Sequence, residues 1–360
     1  MSRRVALFLS RRAPIWHCNR AQILRRRLSN VDVTSIDIGQ LRSSVLNRID
    51  SRKDEIIRKS QTNLFDTILD NVLAGNATDD DVKKTMEEMD SQNVVELATD
   101  IYSSQERAGS DVVHLAAPLF RSAAMQGNIN AKYTYAQLLR QGQGVTPDPS
   151  EAATLFSELS RGGHPYAQFA LAGMYSAGLG VEKNAEKSLQ LYRLSAKNGI
   201  VQAHNAIGNL YLNEIIEGKG PLDAIECFQK GIEMGDMHAH MSMAHCYNHG
   251  KGVTKDESKA FHHLQIASQS GLPVAQYNLG CQYFMGKGVN VDFAKAAACF
   301  HEAAKQEFSP ALVNLGNMYY SGLGVEKNRQ TAKQFYLEAS VGDKNAKALY
   351  EQILKEENND

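Results

Sequence analysis

The chain has 360 residues, of which 22% are charged, and a formal net charge of −1. This length suits two ordinary domains or one long array. The near-neutral charge gives no electrostatic signature of nucleic-acid binding. Five cysteines without CxxC spacing indicate a reducing compartment rather than a small secreted fold held by disulfides. Because no run of about 18 apolar residues occurs, no transmembrane helix is predicted.

The first 31 residues contain eight arginines and no acidic residue. This composition is typical of a mitochondrial presequence, and the stretch RRLS at 26–29 resembles the cleavage pattern of the matrix processing peptidase. The apolar stretch over 5–9 is too short for a secretory signal, which leaves a basic RNA-binding arm as the alternative. We therefore predict a presequence over residues 1–28 that engages the mitochondrial import machinery. The matrix, the intermembrane space and a cytosolic pool after processing all stay open.

Residues 29–93 form a charged segment with helical periodicity. Leu41, Val45 and Ile49 recur four residues apart, which places them on one helical stripe. Two further helices are predicted over about 62–73 and about 79–90. The segment contains no recognisable chemistry, and we expect it either to pack on the following domain or to offer amphipathic faces to a partner.

A stretch that resembles a phosphate loop recurs along the rest of the chain. YNLGCQYFMGKGV, at 277–289, contains Gly-Lys-Gly, but no strand is predicted before any copy, whereas a phosphate loop connects a strand to a helix. The glycines are therefore turn glycines, and a nucleotide site is excluded. The copies keep a period of 36 residues, marked by the alanines that open them: Ala131, Ala167, Ala203, Ala239, Ala275 and Ala311.

Each repeat is predicted to be a helix, a Gly-rich turn and a second helix. Apolar residues four and eight positions after the opening alanine share its face of the first helix. In the second helix a small residue precedes a large apolar one by four positions, as Ala296 precedes Phe300. Since one helix pair cannot bury both faces, the pairs must stack. We expect an all-α fold, a right-handed α-solenoid preceded by an N-terminal helical segment.

Two sets of glycines are predicted to be structural. Gly280 and Gly316 lie inside first helices, where glycine costs about 0.5–1 kcal/mol relative to alanine, so a neighbouring helix is expected to pass too close for a side chain. The turn glycines are expected to need positive φ: Gly178, Gly180, Gly250, Gly252, Gly286, Gly288, Gly322 and Gly324.

The repeat register sets the predicted boundaries. Six repeats occupy 131–345, and a seventh copy that begins and stops within 346–360 is interpreted as a C-terminal capping helix. Residues 94–130 keep the register without the turn glycines, as a degenerate capping repeat would. The third repeat has Glu214 and Ile216 where other copies have glycine, so its turn is expected to have a different shape.

The repeat pattern A-x-x-x-L-G-x-x-Y-x-x-G-x-G-V, followed by A-x-x-x-[FY], resembles the Sel-one-like repeat, a relative of the tetratricopeptide repeat. The resemblance implies an adaptor or scaffold that binds proteins. Together with the presequence, it also resembles a mitochondrial member that relays organelle stress to a kinase of the integrated stress response. A respiratory-chain assembly factor is the alternative, although such a factor is rich in cysteines and only four lie in the repeats here. A small-molecule or metal-binding repeat protein is the second alternative.

No catalytic set or cofactor site is predicted. Nothing matches GxSxG or a Walker loop, and no nucleophile with a base can be named, so we expect no enzyme activity. His245 and His249 have a spacing that suits Zn²⁺, but no HExxH motif accompanies them, and no metal is predicted. Cys227 and Cys299 stand where other copies have large apolar residues and are expected to be buried as small apolar side chains. A disulfide between Cys281 and Cys299 is disfavoured in a reducing compartment.

The outward face of the first helices is the predicted partner-binding groove. Positions 3, 6 and 10 after the opening alanine lie within about 60° of one another, opposite the core stripe. They are rich in amides that could hydrogen-bond a peptide, although an ordinary solvated face is the alternative. The sequence does not determine the oligomeric state. The predicted groove residues are Gln137, Asn209, Asn213, Ser242, His245, His249, Asn278, Asn314 and Asn317.

Overall fold

The computed structural model describes residues 91–103, 113–341 and 343–357. The predicted presequence, and the helices predicted before residue 91, lie outside the described residues. Within the described ranges there are 15 α-helices and no β-strand, so the prediction of an all-α helical repeat fold is confirmed.

The described residues belong to two compact units. The first ends at Gly162 and also includes Leu179–Val181, and the second consists of Gly163–Gly178 and the chain from Glu182 onward. The helices of the first unit are α1 (Ser91–Ser103), α2 (Val113–Met125), α3 (Ile129–Gln141) and α4 (Pro149–Arg161). The helices of the second unit are α5 (Pro165–Ala177), α6 (Ala185–Lys197), α7 (Gln202–Leu212), α8 (Pro221–Glu233), α9 (Met237–His249), α10 (Glu257–Gln269), α11 (Pro273–Met285), α12 (Phe293–Ala304), α13 (Ser309–Ser321), α14 (Arg329–Ala339) and α15 (Lys344–Glu357).

Helices α3 to α14 are the six helix pairs of the repeats, with the odd-numbered helix first in each pair. The alanine that opens each first helix is completely buried, and so is the small residue that precedes the large apolar one in each second helix. The large residues of the second helices are buried as well: Phe156, Tyr192, Phe228, Leu264, Phe300 and Tyr336. Within each unit, the core therefore lies between the two helices of a pair, and in the second unit it also lies between neighbouring pairs.

The glycines inside the first helices face the aromatic ring of the second helix. A Cβ on Gly280 would lie 2.7 Å from Cε1 of Phe300 and 3.2 Å from the carbonyl oxygen of Ala296. A Cβ on Gly316 would lie 2.7 Å from Cδ1 of Tyr336. The helices approach closely in these repeats because a ring, together with the backbone in the case of Gly280, fills the space of the missing side chain.

The two turn glycines, which five of the six repeats have, play different structural roles. The first glycine ends the first helix with a left-handed conformation, as Gly286 does with φ of 68° and an N–H that donates to the carbonyl of Gln282. The second also has positive φ, but its contact is with the preceding repeat. A Cβ on Gly288 would overlap the carbonyl oxygen of Glu257, in the first turn of α10.

The contact of the second glycine recurs in the other repeats that have it. In each case the Cβ would overlap backbone at the start of the preceding second helix, so the two backbones touch where no side chain fits. The pairs are Gly144 with Val113, Gly180 with Pro149, Gly252 with Pro221, Gly288 with Glu257 and Gly324 with Phe293.

Side chains that cap the second helices recur at one position in every repeat except the third, where Gly220 stands. The predictions from the sequence do not include these caps. In repeat 5, the side chain of Asp292 accepts a hydrogen bond from the N–H of Lys295, and the N–H of Asp292 donates to the carbonyl of Tyr283 (3.0 Å). The cap therefore starts the second helix and ties it to the end of the first. The equivalent caps are Asp148, Asn184, Asp256 and Asn328.

The third repeat has a different turn, as its sequence predicts. Helix α7 ends at Leu212, one residue earlier than its counterparts, and Ile216 is buried in the position of the second glycine. Glu214, in the position of the first glycine, nevertheless keeps a φ of 54°. A left-handed conformation is unfavourable for a residue with a Cβ, so this turn carries local strain.

Helix α15 packs on the last repeat pair. Ile353 is buried against Ala332 and Tyr336 of α14, and the hydroxyl of Tyr320 donates to the carboxylate of Glu356 (2.8 Å to one oxygen). The apolar face of the final repeat is thereby covered.

Two alanine substitutions separate the cost of positive φ from the cost of backbone contact. Gly271 has a φ of 80° and open space around its Cα, so Gly271→Ala should lower the free energy of unfolding by about 1 kcal/mol. Gly288→Ala adds overlap with the preceding repeat and should cost at least about 3 kcal/mol. Urea unfolding followed by circular dichroism measures both, and equal losses would contradict the proposed role of the second glycine.

Relief of the strained turn should stabilise the protein. Glu214→Gly removes the Cβ from a left-handed residue and should raise the free energy of unfolding by about 0.5–1 kcal/mol. Glu217 is also exposed in this turn but does not have positive φ, so Glu217→Gly is the control and should be neutral or destabilising. Thermal melting of both variants distinguishes these outcomes.

Candidate partner-binding groove

The predicted groove residues are all at least partly accessible. Gln137 lies in the first unit, on α3, and donates from Nε2 to the hydroxyl of Tyr133 (2.7 Å). The others belong to the second unit and lie on first helices, except Asn213, which is the residue directly after α7. The half-buried residues are Gln137, Asn209, Ser242, Asn278 and Asn314, and the exposed ones are Asn213, His245, His249 and Asn317.

Two of the predicted groove residues line a cavity between α11 and α13. A cavity of about 360 Å³ opens there, and it brings Asn314 and Asn317 together with Cys281 and Met285 across the two helices. Phe300 of α12 lies at its floor. The cavity combines an apolar interior with amide groups, the composition that suits a bound peptide side chain and its backbone.

The two amides of the cavity contact tyrosine hydroxyls, one from buried Tyr336 and one from half-buried Tyr277. The amide oxygen of Asn317 accepts a hydrogen bond from the hydroxyl of Tyr336 (2.7 Å), and burial raises the pKa of Tyr336 to about 12, so this hydroxyl stays a donor. Asn314 hydrogen-bonds the hydroxyl of Tyr277, whose pKa is raised by burial. Because its oxygen is engaged, Asn317 offers its amide nitrogen to a ligand, as a donor.

The remaining groove residues make local contacts instead. Ser242 donates to the side-chain oxygen of Asn205 (2.7 Å), a bond that connects α9 to α7. Nδ2 of Asn213 donates to the backbone carbonyl of Asn209 (2.8 Å). Asn278 is not part of the cavity lining. The amide side chains of the outward face therefore do not all make the same kind of contact. The cavity that Asn314 and Asn317 line lies in repeats 5 and 6.

Four apolar residues that line the cavity lie outside positions 3, 6 and 10 of the first helices, so the sequence-based groove does not include them. Phe284 and Leu323 are each 37% exposed, and Phe300 and Met318 form the buried wall. The sequence signal for Phe284 and Leu323 is that they are apolar at positions next to the turn, where repeat 4 has asparagine and lysine. Periodicity assigns Phe300 and Met318 to the core, and only the packing shows that they also border a cavity.

The four cysteines of the described residues are free. Cys246 is buried, and desolvation raises its pKa to about 11. Cys227 and Cys299 are only partly buried, which corrects the expectation of full burial, because their position in the second helix lies at the edge of the core. Desolvation also raises the pKa of Cys299 to about 11, so its thiol is protonated at neutral pH.

The histidines of repeat 4 form two separate pairs. His245 and His249 stack at the surface with ring centroids 4.3 Å apart. His240 and His263 connect α9 to α10 through a contact of 2.9 Å between their Nδ1 atoms. Across the described ranges, no group of three or more His, Cys, Asp or Glu side chains converges as a metal site would require. No helix in that part of the chain is long and apolar enough to cross a membrane.

The comparison with protein families identifies the repeat. The Sel1 repeat model matches six consecutive segments, and each contains the two helices of one pair. Together they span more than half of the chain. The matched segments are residues 129–164, 165–200, 201–236, 238–272, 273–308 and 309–340.

Among solved structures, one Sel1 repeat protein matches this chain with a TM-score above 0.5. A Sel1 repeat protein from Oxalobacter formigenes is 29% identical with a TM-score of 0.57, and the match covers 69% of this chain and 100% of that one. A protective antigen of uropathogenic Escherichia coli with an SLR fold is 25% identical, with a TM-score of 0.42 and coverage of 77% and 67%. An immunity protein of Pseudomonas aeruginosa is 21% identical, with a TM-score of 0.45 and coverage of 62% and 81%. No curated protein matches the sequence at a significant level.

The pair of His240 and His263, of which the first is buried and the second half-buried, should make stability depend on pH. Burial, then the neighbouring His240 and His262, lowers the pKa of His263 to about 4, below its ordinary value of 6.5. The neutral form is therefore favoured by folding, and its contribution to stability is present above pH 6.5 and lost as the pH falls toward 4. His263→Leu, the residue of repeats 1 and 2, should reduce the fall of Tm over this range.

A matched control is His249→Asn, which places the residue of repeat 3 at an exposed position. This variant should keep the pH dependence of the wild type in melting curves recorded from pH 7.5 to 4.5. If His263→Leu loses as much Tm on acidification as the wild type, the histidine pair does not carry the effect.

Proposed function

The chain belongs to the Sel1 repeat family, and from this premise we propose that it is a non-enzymatic scaffold that holds protein partners. The observation that carries the proposal is the cavity between α11 and α13, in which oriented amides border an apolar floor. Stacked helix pairs present such surfaces without the need for a mobile segment.

The chemistry of the cavity favours an extended peptide segment with one apolar side chain. The apolar side chain would enter between Phe284 and Phe300, and the exposed fractions of Phe284 and Met285 would be buried on binding. The amide nitrogen of Asn317 would donate to a peptide carbonyl. The cavity would favour binding by burying the apolar surface of the side chain. The amides would replace the hydrogen bonds to water that the peptide backbone loses.

The proposed site of action is the mitochondrion. The arginine-rich segment over 1–28 supports import, and the combination with Sel1 repeats resembles the death ligand signal enhancer, which relays organelle stress to the heme-regulated kinase of the integrated stress response. We propose the same role for this chain. A respiratory-chain assembly factor is the competing proposal, and the four free cysteines of the repeats disfavour one that works through paired cysteines.

A substitution within the cavity tests the scaffold. Asn317→Asp keeps the oxygen that accepts from Tyr336 but replaces the amide donor with a carboxylate oxygen, so folding should persist while a peptide carbonyl is repelled. We expect Tm to stay within about 2 °C of wild type, because exposed substitutions cost within about 0.5 kcal/mol. Recovery of the heme-regulated kinase from cells treated with a respiratory inhibitor should fall at least about fivefold, as loss of one bond of roughly 1 kcal/mol requires.

The control is Asn290→Asp, the same change at an exposed turn residue outside the cavity. If Asn317→Asp and Asn290→Asp recover the same amount of kinase, the cavity is not the partner-binding site. Recovery of respiratory-chain subunits in place of the kinase, with the same loss in Asn317→Asp, would keep the groove and favour the assembly factor.

Deletion of the arginine-rich segment tests the location separately. Without residues 1–28, the repeats should keep their Tm, because those residues lie outside the repeat register, and the protein should move to the cytosol. A fluorescent reporter fused after residue 30 should enter mitochondria. A reporter that stays in the cytosol would contradict the presequence.

A further inference from the structure

A second cavity lies between the second helices α6 and α8, and residues of the first helix α7 also line it. Its volume is about 440 Å³, within the range of small-ligand sites. Ala196, Ile207 and Cys227 form an apolar base, and most of the remaining lining residues are charged. All of these residues belong to the second unit.

The charges of this cavity do not balance. Four basic side chains line it, and they face two acidic ones, Asp223 and Glu226. Asp223 forms an ion pair with Lys219. Once this pair is set aside, three basic side chains remain with one acidic side chain, Glu226, so the cavity has an excess of two positive charges. The whole chain, by contrast, has a net charge of −1. The basic side chains are Arg193, Lys197, Lys219 and Lys230.

Comparison of equivalent positions in the other repeats shows which of these residues the fold itself requires. A residue needed for stacking recurs every 36 positions, but Arg193 and Lys230 do not recur as basic residues. Their convergence on one cavity is therefore not explained by the helix-pair architecture. At the position of Arg193 the other repeats have Ser157, Gln229, Gln265, His301 and Leu337, and at that of Lys230 they have Glu158, Leu194, Ile266, Glu302 and Glu338.

The guanidinium of Arg193 is held in place. Its Nη2 donates to the hydroxyl of Tyr211 (2.9 Å), and the ammonium of Lys219 lies 5.7 Å from the centroid of the same ring. His204, also in the lining, has a pKa lowered by burial and by Lys230, so it is neutral at pH 7 and available as a hydrogen-bonding group. An oriented arginine beside free ammonium groups favours binding of a multivalent anion.

We propose that the cavity between α6, α7 and α8 binds a phosphoryl group. A phosphate monoester carries about −1.5 to −2 charges at pH 7, which matches the excess of two positive charges better than a carboxylate does. Arg193, Lys197 and Lys230 contact the phosphoryl oxygens, and Glu226 accepts from a donor on the rest of the ligand. The phosphoryl group comes either from a phosphorylated side chain of a protein or from a free phosphorylated metabolite.

The test is calorimetric titration of the full chain with four probes. These are inorganic phosphate, glycerol phosphate, the blocked peptide Ala-phosphoserine-Ala and the same peptide with glutamate in place of phosphoserine. Saturable binding of the phosphorylated probes, weakened by salt, is the expected result. Tighter binding of the phosphopeptide than of glycerol phosphate assigns the source to a protein, and the reverse order assigns it to a metabolite.

Two variants take their residues from the other repeats, so they suit the local helix. Arg193→Gln and Lys230→Glu should each weaken phosphate binding at least about tenfold, because each removes a charge-assisted hydrogen bond. Lys347→Glu makes the same charge change at an exposed position on α15 and should bind as the wild type does.

Melting curves show whether each variant is folded, and one folded variant is enough for the comparison. Equal affinity for the glutamate peptide and the phosphopeptide would overturn the proposal. So would an absence of saturable phosphate binding, or undiminished binding by a folded Arg193→Gln or Lys230→Glu chain.

Discussion

The contact on which the rest of the structure depends is the one between a turn glycine and the backbone of the preceding repeat. At Gly288, as at its counterparts, a side chain would overlap the first turn of the preceding second helix. The turn can reach that backbone because glycine has no Cβ and adopts positive φ without cost. This contact sets how far apart successive pairs lie, and with it which residues of neighbouring first helices face each other.

The third repeat shows the effect of losing this contact. Ile216 replaces the second glycine and is buried in the core cluster that includes Leu189 and Phe228. The turn becomes irregular, with Glu214 in a left-handed conformation. The cavity between α6 and α8 is at this same repeat, and Lys219 reaches it from the irregular turn. The repeat whose turn differs from the others therefore also borders the cavity with an excess of basic side chains.

The two cavities offer different chemistry to ligands. Between α11 and α13, amides that contact tyrosine hydroxyls border aromatic and methionine side chains, and no charged residue lines the space. Between α6 and α8, an excess of basic side chains surrounds a small apolar base. A neutral peptide segment suits the first cavity and an anion suits the second, so the two proposed sites would take chemically different ligands.

The sequence by itself determined the repeat, because the physical requirement is local and recurs every 36 residues. The opening alanines, the large residues from Phe156 to Tyr336 and the turn glycines are visible as periodic patterns, and the structure places them as core and turn. The outward face of the first helices could be derived from helical geometry alone.

Only the tertiary structure decided which part of that face is concave. Asn209 has the same helical position as Asn317, but Asn317 lines the cavity between α11 and α13 and Asn209 does not, because the depth of a groove depends on the side chains of neighbouring helices. The convergence of Arg193 with Lys230 is likewise invisible in the sequence, since these residues are 37 positions apart and belong to different repeats. Periodicity reports what every repeat shares, whereas a binding site is built from side chains that the repeats do not share.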